Sequence, residues 1–98
     1  STVDFIGVAD GRGIAFDAKS TRERTRFPLD NISDHQFRFL KSWKNNGGIS
    51  FILVEFAKLR ETYVLTFDDL EAWWEGAKKG DLVKSKNGIL LDYLSLVR

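Results

Sequence analysis

Three side chains near the start of the chain have the types and spacing that metal-assisted phosphate chemistry uses. Asp17 and Lys19 form a D-x-K triplet, and Asp4 lies upstream in a similar apolar setting. Carboxylates are the hard oxygen ligands that small divalent cations take. An ammonium beside them can meet the charge that develops on a phosphate. In a strand, residues two apart share a face, so Asp17 and Lys19 project to one side. Asp4 joins them only if the chain folds back with the right register. Each residue also has an ordinary reading. An Asp in an apolar strand commonly marks an edge or terminus, a Lys near a strand end is commonly solvated, and D-x-K triplets are frequent.

The stretch from Val3 to Ser20 must therefore do the positioning. It reads as two strands around a tight turn at Asp10-Gly11-Arg12-Gly13, because glycine supplies the positive φ that hairpin turns require. The flanks carry the Val, Ile and Phe that suit a pleated sheet. With the turn near Asp10 to Arg12, Asp4 and Asp17 lie at comparable distances from it.

Beyond the hairpin, Arg22, Arg24 and Arg26 alternate with Thr21, Glu23 and Thr25. If this segment is extended, three guanidiniums share one side and form a strip suited to phosphate. If it is a loop, they are solvated cations. Phe27-Pro28-Leu29 then interrupts any ladder, since proline lacks the donor. A helix is expected from about Ser33 to Asn46. Ser33 and Gln36 have capping-box spacing. Phe37, Leu40 and Trp43 form the apolar stripe, Phe39 makes a second buried contact, and Asn46-Gly47-Gly48 is the stop. His35 in the first turn is chemically able to act as a base, although a histidine at a helix start is commonly just exposed.

Ile49 to Phe56 is the most hydrophobic run and reads as a central strand. Tyr63 to Phe67 reads as another strand. A second helix opens at Phe67-Asp68-Asp69-Leu70, with Asp68 as N-cap or first-turn acid. It carries Leu70, Trp73, Trp74 and Ala77 and fades at Lys78-Lys79-Gly80. Trp73 and Trp74 can stack bases, but at least one is expected to cover the sheet. A loop at Lys84 to Gly88 and an apolar end follow.

Composition bounds the function. The 98 residues, 43% hydrophobic and 30% charged, are enough for one soluble domain with a modest core. A net charge of +1 gives no global basic field, so any nucleic-acid contact must come from local patches. The chain has no cysteine and one histidine, which argues against thiolate or histidine-built metal centres. No apolar run reaches membrane-spanning length. The chain has no methionine and opens directly on strand-like sequence, so residues 1–98 are expected to be a single but partial domain. The element order predicts an α/β fold with a mixed sheet flanked by helices.

Taken together, Thr2-Val3-Asp4-Phe5-Ile6-Gly7-Val8, Phe16-Asp17-Ala18-Lys19, Phe27-Pro28-Leu29, His35-Gln36 and Asp92-Tyr93-Leu94 resemble the RecU-type Holliday junction resolvases of the restriction-endonuclease-like superfamily, whose signature is D…(D/E)-x-K. The resemblance covers nearly the whole chain. It omits the family's N-terminal region, with a helix, an outer strand and most of a stalk. It implies a restriction-endonuclease-like sheet and a Mg²⁺-dependent (or Mn²⁺-dependent) structure-selective endonuclease acting on four-way junctions in DNA recombination and repair. It further implies a cytoplasmic homodimer that meets recombination proteins and no membrane. Thr2, Asp4, Asp17 and Gln36 match the family's metal-binding positions. Asp4, Asp17 and Lys19 match its catalytic set, with Lys19 as transition-state stabiliser. Arg22, Arg24, Arg26, Lys84 and Lys86 are the cations available to DNA. The family usually has Glu where this chain has Asp17. Another nuclease of the superfamily, or a non-catalytic junction-binding module, is the alternative. For Gln36 two roles compete, a cap on Ser33 and an assistant to the metal site, directly or through water. One side chain is not expected to fill both easily.

Overall fold

Ala9 lies directly opposite Arg12, so only Asp10 and Gly11 remain to reverse the chain. Both have positive φ, 50° and 76°, the pair of values that a two-residue type I′ hairpin turn needs. The computed structural model describes residues 2–24 and 27–78. The expectations placed on Thr25, Arg26, Lys84, Lys86 and the segment 79–98, including Asp92, fall outside them.

The hairpin consists of β1 (Phe5–Ala9) and β2 (Arg12–Thr21). A short 3-10 turn at Leu29–Asn31 leads to α1 (Asp34–Asn45). Then come β3 (Ile49–Phe56), a second 3-10 turn (Ala57–Leu59), β4 (Glu61–Thr66) and α2 (Phe67–Lys78). The sheet order is β1-β2-β3-β4. β2 and β3 are parallel, joined through α1, while both outer pairs are antiparallel. This is the expected mixed α/β sheet with β3 inside it. The fourth strand starts and ends earlier than the Tyr63–Phe67 reading: Glu61 already pairs with Phe56, and Phe67 turns into the helix. Asp68 and Asp69 are acids of the first turn of α2, where the exposed N–H groups favour negative charge.

Alternation along the strands separates two apolar layers. Ala15, Ile52, Val54, Phe56 and Leu65 face Phe37 and Leu40 of α1 and Leu70 and Trp74 of α2, so both described helices share one face. Trp74 stacks on Phe37 at 4.4 Å between ring centres and is committed to this core rather than to bases. On the other face, Ile14, Phe51 and Val64 are buried together, and Phe5, Phe16 and Phe51 form a stacked ladder across three strands, with centroid distances of 4.9 and 5.0 Å. Ser50, a polar residue on the helix face, is accommodated because its hydroxyl donates to the Leu40 carbonyl at 2.9 Å.

The C-terminal half of α1 is locked to the sheet by Trp43. Its indole N–H donates to the Gly13 carbonyl at 3.2 Å. The ring lies where side chains at Gly13 and Gly48 would stand, since a Cβ on Gly48 would come within 2.4 Å of Trp43 Nε1. α1 ends as expected, with Asn46 as C-cap and Gly47 at φ 92°. At the sheet edge, β1 exposes Phe5, Ile6 and Val8.

Candidate functional site

The hairpin register carried one step past Phe5 opposite Phe16 brings Asp4 opposite Asp17. Here the backbone ladder gives way to side chains. The Asp4 N–H donates to Asp17 Oδ1 at 2.9 Å, and the Ala18 N–H donates to Asp4 Oδ2, also at 2.9 Å. Asp4 Oδ2 thus takes the Ala18 N–H, which a continued ladder would give to the Val3 carbonyl. One oxygen of each is held by main chain, which fixes both carboxylates across the hairpin. Val3, buried in the helix-face core, anchors the segment that delivers Asp4.

Asp17 is 3% exposed, whereas Asp4 lies at the surface. A buried carboxylate needs compensating donors or cations. Besides the Asp4 N–H, Asp17 receives the Lys19 ammonium at 3.0 Å and the Gln36 side-chain amide at 3.2 Å, both on Oδ2. Lys19 reaches it because residues two apart on β2 share a face. The structure therefore gathers Asp4, Asp17, Lys19 and Gln36 from two strands and a helix start.

Gln36 completes the cap and reaches Asp17 at the same time. The capping box is complete, with the Gln36 N–H donating to Ser33 Oγ at 3.1 Å and the Ser33 N–H donating to Gln36 Oε1 at 3.4 Å. The amide nitrogen meanwhile donates to Asp17 Oδ2 and to the Thr2 carbonyl, each at 3.2 Å. The expectation of mutual exclusion fails because an amide has two ends. In this arrangement Gln36 faces Asp17 as a donor, and its oxygen is turned to the cap. Thr2 joins the cluster through its main chain. His35 is exposed in the first turn of α1.

The donor set suits a small divalent cation. Such an ion is commonly held by one or two carboxylates, with waters and substrate phosphate completing its shell. Asp4 and Asp17 supply two carboxylates on one face of the hairpin. No group of three or more His, Cys, Asp or Glu able to hold a metal occurs among the described residues, so no closed protein cage is built here.

As far as Arg24, the arginine segment takes the loop form rather than the extended one. β2 ends at Thr21, Arg22 lies beyond it and Arg24 sits at a bend, both exposed. Arg22 lines a hollow of about 460 Å³ at the carboxyl end of β2, together with Ser20, Thr21, Glu23, Pro28, Asn31 and Lys58. Sequence reasoning missed Lys58. A lysine in a polar turn carries no signal of its own, and only the parallel pairing of β2 with β3 brings the Ala57–Leu59 turn beside Arg22.

With this geometry described, comparison with known proteins is informative. The sequence model of the family described as "Recombination protein U" matches residues 1–98. The chain is 42% identical over 80 residues to the Holliday junction resolvase RecU of Geobacillus kaustophilus, covering 82% of the chain and 40% of that protein. It is 43% identical over 75 residues to that of Leuconostoc mesenteroides, covering 76% and 37%. It is 38% identical over 99 aligned positions to that of Staphylococcus aureus, covering 95% and 48%. The chain thus spans less than half the length of each of these relatives.

Proposed function

The chain belongs to the Recombination protein U family, and from that membership and the site's geometry we propose that it acts as a Mg²⁺-dependent, structure-selective endonuclease that resolves Holliday junctions in DNA recombination and repair. The observation that carries this reading is the opposition of Asp4 and Asp17 across the hairpin, with Lys19 on the same face.

In this reading Asp4 and Asp17 are the anionic ligands of Mg²⁺, or Mn²⁺ in its place, and Thr2 and Gln36, tied to each other by a hydrogen bond, flank the metal site. A bound divalent ion would lower the pKa of a bound water and stabilise charge on the phosphate being cut. The chain's own contribution is positional. The main-chain hydrogen bonds of the hairpin hold both carboxylates in place. Lys19 supplies a positive charge at the phosphate, where it orients the attacking water and offsets the charge that builds up. Hydrolysis forms a bond from the water oxygen to phosphorus and breaks one strand oxygen–phosphorus bond, the leaving oxygen taking a proton. DNA is held mainly through its backbone, with Arg22, Arg24, Arg26, Lys84 and Lys86 as contacts. A four-way junction offers two strands to cut, so a two-fold homodimer with two sites is the matching assembly. Recombination proteins are natural partners, and a cytoplasmic location follows from the DNA substrate. No helix among the described residues is long and apolar enough to cross a membrane.

The test is nicking of a synthetic four-way junction, compared with linear duplex of the same sequence, with and without Mg²⁺. Metal-dependent cutting of the junction alone supports the proposal. Equal cutting of both substrates would point to another nuclease of the superfamily. Junction binding without cutting would point to a non-catalytic binding module.

A further inference from the structure

The oxygens of Asp17 are held in different ways. Oδ1 receives the Asp4 N–H, a bond that cannot be released without opening the end of the hairpin. Among the described residues Oδ2 is held by side chains alone, the Lys19 ammonium and the Gln36 amide. A divalent cation on either oxygen of Asp17 comes close to the Lys19 ammonium, which stands 3.0 Å from Oδ2, and one that takes Oδ2 itself meets it directly. At that range, repulsion between an ammonium and a divalent ion sharing one oxygen far exceeds thermal energy at protein-like dielectric. One of the present partners has to leave.

The anchoring of the partners decides which. Gln36 is tied at both ends, its oxygen by the Ser33 N–H and its nitrogen also by the Thr2 carbonyl. Lys19 has one contact of this kind, to Asp17, and a flexible stem whose side chain is 21% exposed. We infer that Lys19 and a divalent cation compete for Asp17 Oδ2, so that metal binding releases the Lys19 ammonium from the carboxylate and Lys19 sets the metal affinity of the site. The inference rests on the proposed reading that Asp4 and Asp17 share a metal, and goes beyond it. Lys19 gains two positions: paired with Asp17, and free to meet a phosphate once the ion has taken its place. Without a divalent ion the buried carboxylate stays compensated, which keeps the hairpin end folded.

Binding of Mn²⁺ alone to the 98-residue chain, followed by the loss of the free-ion paramagnetic resonance signal, tests this without DNA. Lys19→Met keeps the stem and removes the charge. It is expected to bind Mn²⁺ about tenfold more tightly than the parent, the factor expected when a competing interaction of ordinary strength is removed. Saturating Mn²⁺ should also raise the melting temperature more in Lys19→Met than in the parent. Lys19→Gln provides a second variant should Lys19→Met not fold. Unchanged or weaker Mn²⁺ binding in a folded variant would overturn the inference, because Lys19 would then assist the ion or ignore it. Asp17→Asn separates the two levels of argument. If the parent binds Mn²⁺ and Asp17→Asn does not, the metal reading stands and the Lys19 variants alone decide. If neither the parent nor the Lys19 variants take up Mn²⁺, both the metal reading and the inference fall.

Discussion

Asp4 and Asp17 hold each other through main chain. The backbone N–H of Asp4 donates to Asp17 Oδ1, and Asp4 Oδ2 in turn receives the N–H of Ala18, the residue after Asp17. Like charges placed opposite each other usually destabilise a sheet. Here each carboxylate accepts a main-chain N–H from the other arm of the hairpin, so the charges are set side by side by bonds that tie the two arms together.

Asp17→Asn is the direct probe of this arrangement. Its new NH₂ group must face either the Asp4 N–H or the Lys19 and Gln36 donors, so at least one part-buried donor loses its acceptor. A loss of about 1–3 kcal/mol is expected. Junction cleavage should disappear while junction binding, which rests on phosphate contacts, stays near the parent level. Thermal melting, a nicking assay and a binding titration check the three parts. Cleavage at the parent rate in Mg²⁺ would remove Asp17 from the site.

Gln36→Ala should differ from Ser33→Ala in kind. Ser33→Ala removes one half of the capping box and should cost about 1 kcal/mol while sparing cleavage in the folded protein. Gln36→Ala removes the other half of the box and also a donor to Asp17. It should lower both the melting temperature and the cleavage rate. Parent-rate cleavage by folded Gln36→Ala would reduce Gln36 to a cap.

Gly48→Ala is predicted to be destabilising by about 1–3 kcal/mol, through overpacking against Trp43. The added methyl would meet Trp43 Nε1 at 2.4 Å and the Trp43 carbonyl oxygen at 3.1 Å. In a domain of this size that is a drop of several degrees in melting temperature, on the order of 4–8 °C per kcal/mol. In a Trp43→Ala background the same substitution should cost markedly less, and additive losses in the double variant would refute the interlock.

Arg22→Ala and Lys58→Ala should weaken junction binding in a salt-dependent way, because both cations line the hollow at the carboxyl end of β2. Each should reduce the slope of log K against log salt by about 0.9 if it contacts a phosphate. Arg12→Ala, at the turn end of the same strand, serves as comparison. An equal loss there would mean that only overall charge is being read.

Val8→Lys addresses self-association. Val8 is 76% exposed on the edge strand β1, which pairs only with β2 among the described residues. Exposed apolar edges favour pairing with another chain, and a lysine discourages it. Sedimentation of the parent should show a dimer or larger species that Val8→Lys shifts to smaller mass, with stability changed by no more than about 0.5 kcal/mol. A parent that sediments as a monomer over a wide concentration range would end this expectation.

Most of the scaffold could be read from the sequence because its signals are local. Asp10-Gly11 specified the turn, Ser33 with Gln36 specified the start of α1, and Asn46-Gly47 its stop. The D-x-K face followed from strand alternation alone. What could not be read is tertiary. The beginning of β4 at Glu61 depends on pairing with Phe56, not on any feature of its own residues. The twofold use of Gln36 requires knowing that Thr2 and Asp17 lie on either side of its nitrogen. Lys58 joins Arg22 only through the parallel register of β2 and β3. The extended form fails for Arg22 and Arg24 because β2 stops at Thr21, opposite the last residue of β3, and no other strand among the described residues pairs beyond it.

The two-residue turn also makes the hairpin a counting device. Asp4 meets Asp17 because equal lengths of chain separate each from Asp10-Gly11. One residue inserted on either arm would slide the partner by a step and send one carboxylate to the opposite face of the sheet. A two-residue insertion would keep the face but move one acid a full pleat, about 6–7 Å, out of reach of the other. The segment between Thr21 and Ser33 is under no such constraint, since nothing in the acidic pair depends on its length. Changes of length in homologous chains should therefore accumulate there, while the interval from Asp4 to Asp17 stays constant to the residue.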